Sequence, residues 1–484
     1  RRLRRVTSLP GEEGRFAIAP DGKNFVFVSD YEGERDLYSI KWTGKDIERL
    51  TTGGKNPKWI EYSPDGKSIR FMDNSGKAKS VKSDGGKLKS YPFDAVVMVD
   101  VLAEREQKFG EVWRTLNNQF YDPDFHGQDW GALADKYHAK IPAASTEEDY
   151  GDIVKMMIGE LNSSHSGYSS PRGGKSHKVG LLGLDFDPMY SGVGLLISHV
   201  LPNAACDRGE VHLKAGDILL AINGTEIKED TNIHQLLDYQ VDQQTELRIK
   251  SGKKKRSVFV RPQSRYSVGW FRYDEWVRER REIVELLSEG KLGYIHIRGM
   301  GYPSLQRFEA QLFSVGSGKE GLVIDVRNTG GGSITDQLLA MLQVKRHAVT
   351  YPRDGGPGYP QGRLPLYSWV KPIIVLCNEH SFSNAEIFSH AIKTLERGEL
   401  VGIPTPGGVI STGWEGLLDG SSFRLPLRGW YYGTDLRRSA KRNMEGNGAV
   451  PDVIVPIDPG QISAEEDVQI AIAVRNLMRK VKVY

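Results

Sequence analysis

The sequence predicts a multidomain protein in which a β-rich segment, a helical segment, a second β-rich segment and an α/β segment follow one another. Three observations support this prediction. A strand–turn–strand pattern occurs twice near the N-terminus, helical spacing begins near residue 99, and apolar strands alternate with helices towards the C-terminus. With 484 residues the chain is long enough for roughly three or four domains.

The first segment contains an internal repeat. Residues 16–30, FAIAPDGKNFVFVSD, resemble residues 60–74, IEYSPDGKSIRFMDN, and each reads as a strand, a Pro-Asp-Gly turn and an alternating strand. The period of roughly 44 residues suits a blade of a β-propeller. Because a closed ring typically needs about four to eight blades, we expect residues 1–95 to form a partial β-propeller. We expect its remaining blades to lie upstream of Arg1; the alternative is that partners cover its open edges.

Residues 96–178 are predicted to form a small helical domain. Residues 101–120 carry an apolar stripe at helical spacing, and residues 131–141 and 147–161 supply two further helices. The members of the stripe are Phe109, Val112, Trp113, Leu116 and Phe120.

Residues 179–265 show a different pattern of short strands and glycine-containing turns. The stretch AGDIL at residues 215–219, followed by an Asn-Gly turn, resembles a PDZ domain. Such a domain adds an extended peptide to a sheet edge and holds its carboxylate with backbone N–H groups. The residues predicted to form this carboxylate loop are Gly183, Leu184, Asp185 and Phe186. An ordinary solvated hairpin turn is the alternative.

Residues 266–484 are predicted to form an α/β domain that begins with a helical connector at residues 266–290. The continuous apolar runs LVIDV and IIVL are typical of buried parallel strands. Ligands collect beyond the carboxyl ends of such strands. Two of these ends are unusual, since one carries the glycine-rich stretch at residues 328–332 and the other carries CNEHSFSNAE at residues 377–386.

Composition excludes several classes of function. A net charge of +3 over 484 residues does not predict an electrostatic field that would attract nucleic acid or a membrane. The dense basic run at residues 250–262 reads as a solvated hairpin edge, with a partner contact as the alternative. Two cysteines, Cys206 and Cys377, provide no disulfide framework or zinc cluster, and no metal-binding spacing occurs, so we expect no cofactor.

The compartment follows from weaker signals. No apolar stretch reaches membrane-spanning length and no signal peptide is visible, so we expect a cytoplasmic protein. Because the sequence starts at Arg1, a targeting signal upstream and a periplasmic location stay open as the alternative.

The stretch at residues 377–386 places two serines and a histidine at the start of a predicted helix. These residues could be helix caps, a solvated loop or a nucleophile presented to the unpaired N–H groups of a helix N-terminus. A serine nucleophile needs a base. Candidates are the nearby His380 and His165, which follows Ser164 in the stretch LNSSHSGY; Ser381 competes with Ser383 for the nucleophile's role.

Five motifs in a fixed order carry a resemblance to a known family. They are the segment from EVWRTLNNQF to IGELNSSHSGY, then VIDVRNTGGG, NEHSFSNAE, GIPTPGGV and MEGNGAVPDVIV. In this order they resemble the tricorn proteases, relatives of the C-terminal processing peptidases. The family order of propeller, helical, PDZ and catalytic domains covers nearly the whole chain.

The resemblance implies a role for individual residues. Ser383 matches the nucleophile, His165 the general base, and Ser164 and Glu445 the groups that orient the imidazole. The backbone N–H groups of Asn384 and, among the glycines, Gly331 match the oxyanion hole. Asn384 replaces an acidic residue, which leaves a backbone role intact.

One further position distinguishes relatives that use a lysine base from relatives that use a histidine base. Related processing peptidases place a catalytic lysine where this chain has Gly408, in TPGGV. This difference favours the histidine base over a Ser–Lys dyad.

The resemblance also implies an activity and partners. We expect a serine peptidase that acts on unfolded or short peptides and assembles as a homo-oligomer, by resemblance a hexamer. A non-catalytic peptide-binding scaffold built on the PDZ and propeller segments is the alternative. Primary specificity is not assigned by the sequence, because the loop-rich residues 349–369 match the family poorly.

Overall fold

A computed structural model describes most of the chain. The described residues are 5–7, 9–93, 96–171, 178–209, 211–343, 348–350, 353, 359–361, 368–433, 442–460 and 466–481. The chain divides into two compact units, Arg1–Asp100 and Val101–Tyr484. The helical, second β-rich and α/β segments therefore share one unit, and the boundaries between them stay a prediction.

The first unit consists of two antiparallel sheets of four strands each. Its two Pro-Asp-Gly sequences form the predicted turns, in which the N–H groups of Gly22 and Gly66 donate to the carbonyls of Ala19 and Ser63 at 2.8 Å. One buried core contains side chains from both sheets, including Val26, Leu37, Ile69 and Val81. The strands are β1 (Glu13–Ile18), β2 (Asn24–Ser29), β3 (Asp36–Lys41), β4 (Glu48–Arg49), β5 (Lys58–Tyr62), β6 (Ser68–Met72), β7 (Ala78–Lys82) and β8 (Lys89–Ser90).

The second unit begins with three helices, α1 (Val101–Gln119), α2 (Trp130–His138) and α3 (Glu147–Gly159). The Asp129 carboxylate caps α2, and Thr146 with Asp149 forms a capping box at the start of α3. Short 3₁₀ helices lie at Phe125–Gly127 and Ile141–Ala143. The predicted stripe of α1 packs into the core of these helices.

A hairpin from much later in the chain completes this helical core. Strands β24 (Ser411–Gly416) and β25 (Ser422–Arg428) pair with each other, and β25 pairs with β9 (Gly167–Ser169). Phe423 and Leu425 of β25 are buried among the helices. The fully buried Lys108 of α1 donates to the Asp419 carboxylate at the hairpin tip at 2.7 Å. These contacts hold the loop after α3 against the α/β segment.

The second β-rich segment forms an antiparallel sheet of six strands. The basic run forms the hairpin at its edge, where Lys254, Lys255 and Arg256 are exposed while Val258 and Val260 are buried. The elements are β10 (Leu184–Phe186), β11 (Leu195–Val200), β12 (Ile218–Ile222), β13 (Thr225–Glu226), α4 (Ile233–Leu236), β14 (Thr245–Ser251) and β15 (Lys254–Val260). The strand order is β10-β11-β12-β14-β15, and β13 pairs with β12.

The C-terminal segment is a five-stranded parallel sheet with helices on both faces, as its apolar strands predict. The sheet order is β16 (Leu292–His296), β18 (Gly321–Asp325), β22 (Ile373–Cys377), β23 (Glu399–Gly402) and β26 (Val453–Ile454). One face packs against α6 (Tyr302–Ser314), α7 (Thr335–Leu342) and α8 (Asn384–Thr394). The other packs against α5 (Arg265–Leu287) and α9 (Val468–Val481).

Smaller strand pairs complete this segment. Strand β17 (Gly299–Met300) runs parallel to β19 (Gly330–Gly332), and β20 (Ala348–Thr350) pairs with β21 (Tyr359–Gln361). Most of the loop-rich residues 349–369 lie outside the described residues. Among the helices that the structure describes, none is both long and apolar enough to cross a lipid bilayer.

Candidate functional site

Ser383 lies at the sharp turn between β22 and α8, beyond the carboxyl end of a central strand. Its φ of 61° and ψ of −118° belong to a backbone conformation that residues other than glycine rarely adopt. The backbone N–H of Ser383 donates to the Glu386 carboxylate at 3.0 Å. This contact holds the turn at the start of α8.

A chain of hydrogen bonds connects four of the predicted site residues. The Nε2 atom of His165 lies 2.9 Å from the Ser383 Oγ, and its Nδ1 atom lies 3.0 Å from the Ser164 Oγ. The Ser164 hydroxyl donates to Oε2 of Glu445 at 3.0 Å. Because that hydroxyl has a single proton, it accepts from the Nδ1–H of a neutral imidazole. Nε2 then presents its lone pair to Ser383.

Glu445 accepts hydrogen bonds from further groups besides the Ser164 hydroxyl. Its carboxylate also accepts from the Ser164 backbone N–H at 2.6 Å and from the Val409 N–H at 3.0 Å. It therefore connects the loop that carries His165 to the segment between the TPGG stretch and β24. A carboxylate fixed by three donors is well placed to stabilise positive charge on the imidazole.

The His165 imidazole is half-buried, and its pKa is lowered from the ordinary value near 6.5. Burial is the largest cause, the positive charge of Arg424 lowers the pKa further, and the Glu445 carboxylate opposes both. The ring stacks on Phe382, with ring centroids 4.7 Å apart and planes inclined by 17°. At neutral pH the imidazole is therefore uncharged, as a general base must be.

Gly331 and Asn384 also lie next to the serine. A Cβ atom added to Gly331 would lie only 2.8 Å from the Ser383 Oγ, so the glycine backbone approaches the hydroxyl closely. The Asn384 side-chain oxygen accepts from the N–H groups of Ile334 and Thr335 at 2.9 Å and 3.1 Å. Those bonds need only an acceptor oxygen, which either Asn or Asp supplies.

The two rival residues lie away from this chain of hydrogen bonds. Ser381 is buried, donates to the Val326 carbonyl at 2.8 Å and accepts from the Asn378 N–H at 2.9 Å. The His380 side chain is 69% exposed and faces the Glu379 carboxylate instead of Ser383.

The two cysteines are not reactive candidates either. Cys206 and Cys377 are buried thiols whose pKa values burial raises to about 12, which keeps them protonated.

The predicted carboxylate loop lies at the edge strand β10. Gly183 has a φ of 70°, and a Cβ added there would lie 2.3 Å from the Ala204 side chain. Leu184 and Phe186 belong to β10, while the Asp185 side chain is paired with Arg272 of α5 and with His199 at 3.3 Å. A role of this loop in peptide binding stays a prediction.

The serine and histidine face a cavity of about 580 Å³, within the usual size range of ligand pockets. Its lining includes Gly331, Ile410, Thr412 and Arg424 besides the two catalytic candidates. Among the described residues, no group of three or more His, Cys, Asp or Glu side chains is arranged to hold a metal ion. The 2.9 Å contact between the Ser383 hydroxyl and the His165 imidazole suits nucleophilic attack by that hydroxyl.

Three family descriptions match successive parts of the chain. They are the tricorn protease C1 domain at residues 102–159, the tricorn protease PDZ domain at residues 180–264 and peptidase family S41 at residues 291–455. The chain belongs to the tricorn-like protease family. This finding confirms the resemblance seen in the sequence, including its PDZ-like segment.

Individual members of the tricorn-like family match over most of this chain. Tricorn protease homolog 1 of Streptomyces coelicolor is 30% identical over 87% of the chain and 40% of its own length. The tricorn protease of Thermoplasma acidophilum is 25% identical over 94% of the chain and 42% of its own length. A crystal structure of the tricorn protease aligns with a TM-score of 0.79 and 22% identity, covering 95% of the chain and 46% of that protein. The chain thus spans less than half of these tricorn relatives.

The structure gives a steric reason for Gly408 in this tricorn-like chain. A Cβ atom added to Gly408 would lie 2.3 Å from the Phe382 ring, the same ring that stacks on His165. Phe382 thus occupies the space that a side chain at 408 would need. A lysine there is incompatible with this packing.

Sequence reasoning missed Glu386, a buried carboxylate at the centre of this tricorn-like site. It accepts from the N–H groups of Ser383 and Gly408 at 3.0 Å and 2.8 Å, from the Thr405 hydroxyl at 2.7 Å and from the Gly407 N–H. Burial is the largest influence on its pKa and raises it, against these hydrogen bonds. The spacing Ser-x-x-Glu, typical of a capping box, is the signal that could have identified it.

Proposed function

We propose that this chain is a serine peptidase that hydrolyses unfolded polypeptides or short peptides through an acyl-enzyme. The observation that carries the proposal is the chain of hydrogen bonds from Glu445 through Ser164 and His165 to Ser383. A neutral imidazole with a fixed tautomer, beside a serine at a helix N-terminus, is the arrangement that activates a hydroxyl for acyl transfer. Membership of the tricorn-like family supports the same activity.

In the proposed acylation step, Ser383 Oγ attacks the carbonyl carbon of the scissile peptide bond while His165 Nε2 takes the hydroxyl proton. The carbonyl oxygen becomes an oxyanion that the backbone N–H groups of Gly331 and Asn384 would hold. The imidazolium is stabilised by Ser164 and the Glu445 carboxylate. Collapse breaks the C–N bond, and His165 returns the proton to the leaving amine.

Deacylation repeats the sequence with water. His165 Nε2 takes a proton from a water molecule, whose oxygen attacks the ester carbon on Ser383. The second tetrahedral intermediate then expels the Ser383 oxygen, which regains the proton from His165. The net reaction consumes one water and releases two peptides, with the enzyme unchanged.

A serine-directed fluorophosphonate tests the proposal directly. We expect stoichiometric labelling of the native chain, with the adduct mapped to Ser383 by peptide mass spectrometry, because the neighbouring imidazole makes this hydroxyl nucleophilic. The matched control is Ser314→Ala, which removes an exposed hydroxyl at the end of α6 and should label like the native protein. An unlabelled native chain would overturn the proposal in favour of a non-catalytic peptide-binding scaffold. An adduct on another serine would overturn the assignment of Ser383 as the nucleophile.

The depressed pKa of His165 predicts the pH dependence. Because the base works only when neutral, kcat/KM should rise with pH along a limb whose midpoint lies below about 6.5. Glu445→Gln removes a charge that raises this pKa and should move the limb to lower pH, whereas Arg424→Met should move it to higher pH. The measurement is kcat/KM from pH 4.5 to 9 with an amidated peptide free of ionisable side chains. Shifts in the same direction for both variants would contradict this account.

We further propose that the two four-stranded sheets of the first unit are blades of a β-propeller. Their shared Pro-Asp-Gly repeat and the fold similarity to the tricorn protease support this assignment.

A homo-oligomer, by resemblance a hexamer, is proposed because the sequence motifs resemble those of the tricorn proteases. Sedimentation at micromolar concentration distinguishes it from a monomer. A cytoplasmic location stays a prediction from the sequence.

A further inference from the structure

Arg424 lies in the same cavity as the proposed catalytic pair. It belongs to β25, where it pairs with Gly167 of β9, two residues after His165. Its side chain is half-buried and lines the cavity together with Ser383 and Thr412. The strand pairing thus fixes a guanidinium beside the position where a peptide would bind.

The contacts of Arg424 leave much of its hydrogen-bonding capacity unused. Its Nη2 donates to the Thr412 hydroxyl at 2.7 Å, and the guanidinium carbon lies 5.4 Å from the centre of the Trp414 ring. The Nε atom is buried without a hydrogen-bond partner. In the part of the chain that the structure describes, Arg424 forms no ion pair, and burial alone lowers its pKa.

Arg327, in the same unit, shows the more usual environment of a buried arginine. Arg327 is buried and pairs with Asp325 at 2.7 Å and with Asp467 at 3.0 Å. Burying a cation without a partner costs free energy, and pairing with a carboxylate offsets part of that cost. Arg424 has a neutral hydroxyl and an aromatic face instead, so its charge is left available to a ligand.

We infer that Arg424 binds a substrate carboxylate in the cavity in front of Ser383. The planar guanidinium fork recognises carboxylates by paired, charge-assisted hydrogen bonds. The other charged residue of the lining, Asp336 at the start of α7, is exposed and would repel the same group. The inference rests on the proposed peptidase function and adds to it a preference for peptides that carry a carboxylate near the cleaved bond.

Two sources of that carboxylate are distinguishable with a peptide set. The parent is an amidated peptide without acidic side chains; one derivative has a free C-terminal carboxylate, and others carry a single glutamate at each position around the cleaved bond. Each glutamate peptide has a glutamine twin. At pH 8 we expect the native chain to prefer one kind of acidic peptide, either the C-terminal acid or one of the glutamate peptides. Its kcat/KM should be roughly 10- to 100-fold higher than that of the neutral counterpart, which is the amidated parent or the glutamine twin. The preferred class identifies the source.

Arg424→Met should reduce that ratio to about one while leaving the neutral twin cleaved. Arg428→Met is the matched control, because it removes a positive charge from an exposed position on the same strand and should keep the full ratio. Equal cleavage of every pair by the native chain, or a ratio that persists in Arg424→Met, would overturn the inference. Working at pH 8 keeps the titration of His165 out of the comparison.

A binding measurement separates this inference from the proposed reaction. Calorimetry with Ser383→Ala and the same peptides should show tighter binding of the preferred carboxylate peptide, and Arg424→Met in that background should abolish the difference. If the native chain cleaves no peptide but the binding difference is present, the reaction fails and the inference stands. If cleavage occurs without a binding or rate difference, the inference fails alone.

Discussion

Replacing Ser383 by alanine is expected to lower kcat/KM for peptide cleavage by roughly 10⁴- to 10⁶-fold. The substitution removes the attacking oxygen and leaves the cavity and the backbone donors in place. The Ser383 Oγ is hydrogen-bonded to His165, so the variant should lose no more than about 1 kcal/mol of stability. The measurement is single-turnover cleavage of a fluorogenic peptide, with thermal unfolding as the check on folding.

The control for this variant is Ser314→Ala, whose residue is exposed at the end of α6 and is not among the described residues that line the cavity. It should cleave at the native rate. Retained cleavage by Ser383→Ala, with a melting temperature like that of the native chain, would contradict the assignment of the nucleophile.

Replacing His165 by alanine should cause a loss of similar size, because the hydroxyl is unreactive at neutral pH without a base. His380→Ala provides a matched control: this histidine is three residues from Ser383 in sequence, yet its side chain is 69% exposed. It should keep native activity. A large loss in His380→Ala, together with a small loss in His165→Ala, would reverse the roles of the two histidines.

Much of the secondary structure could be predicted because local patterns determine it. The Pro-Asp-Gly turns mark both hairpins, the stripe on α1 matches its buried face, and the runs LVIDV and IIVL form strands buried on both faces. The two units and the contents of each core depend on contacts between distant segments. The pairing of β25 with β9 is such a contact, and neither strand indicates its partner from sequence alone.

The catalytic candidates could be named because five family motifs occur in order, not because residue spacing places them together. His165 and Ser383 are 218 residues apart, and they meet because the β24–β25 hairpin packs into the helical core. Their hydrogen-bonded geometry therefore depends on tertiary packing. The same holds for Glu445, which reaches Ser164 across 281 residues.

The residues that sequence reasoning missed act through tertiary contacts. Phe382 reads as an apolar residue in a loop, and only the fold shows that its ring stacks on His165 and fills the space beside Gly408. Arg424 reads as one of many cations on a strand. Its lack of an ion pair within the described residues becomes apparent only when its neighbours on β24 are known.

The central claim is that Ser383 and His165 act as one catalytic unit. The most direct test compares kcat/KM at pH 8 for Ser383→Ala, His165→Ala and the double variant with a single peptide. Residues that work as a unit have non-additive effects, so the double variant should be within a few-fold of either single variant. A double variant whose loss equals the product of the two single losses would show independent action and contradict the account.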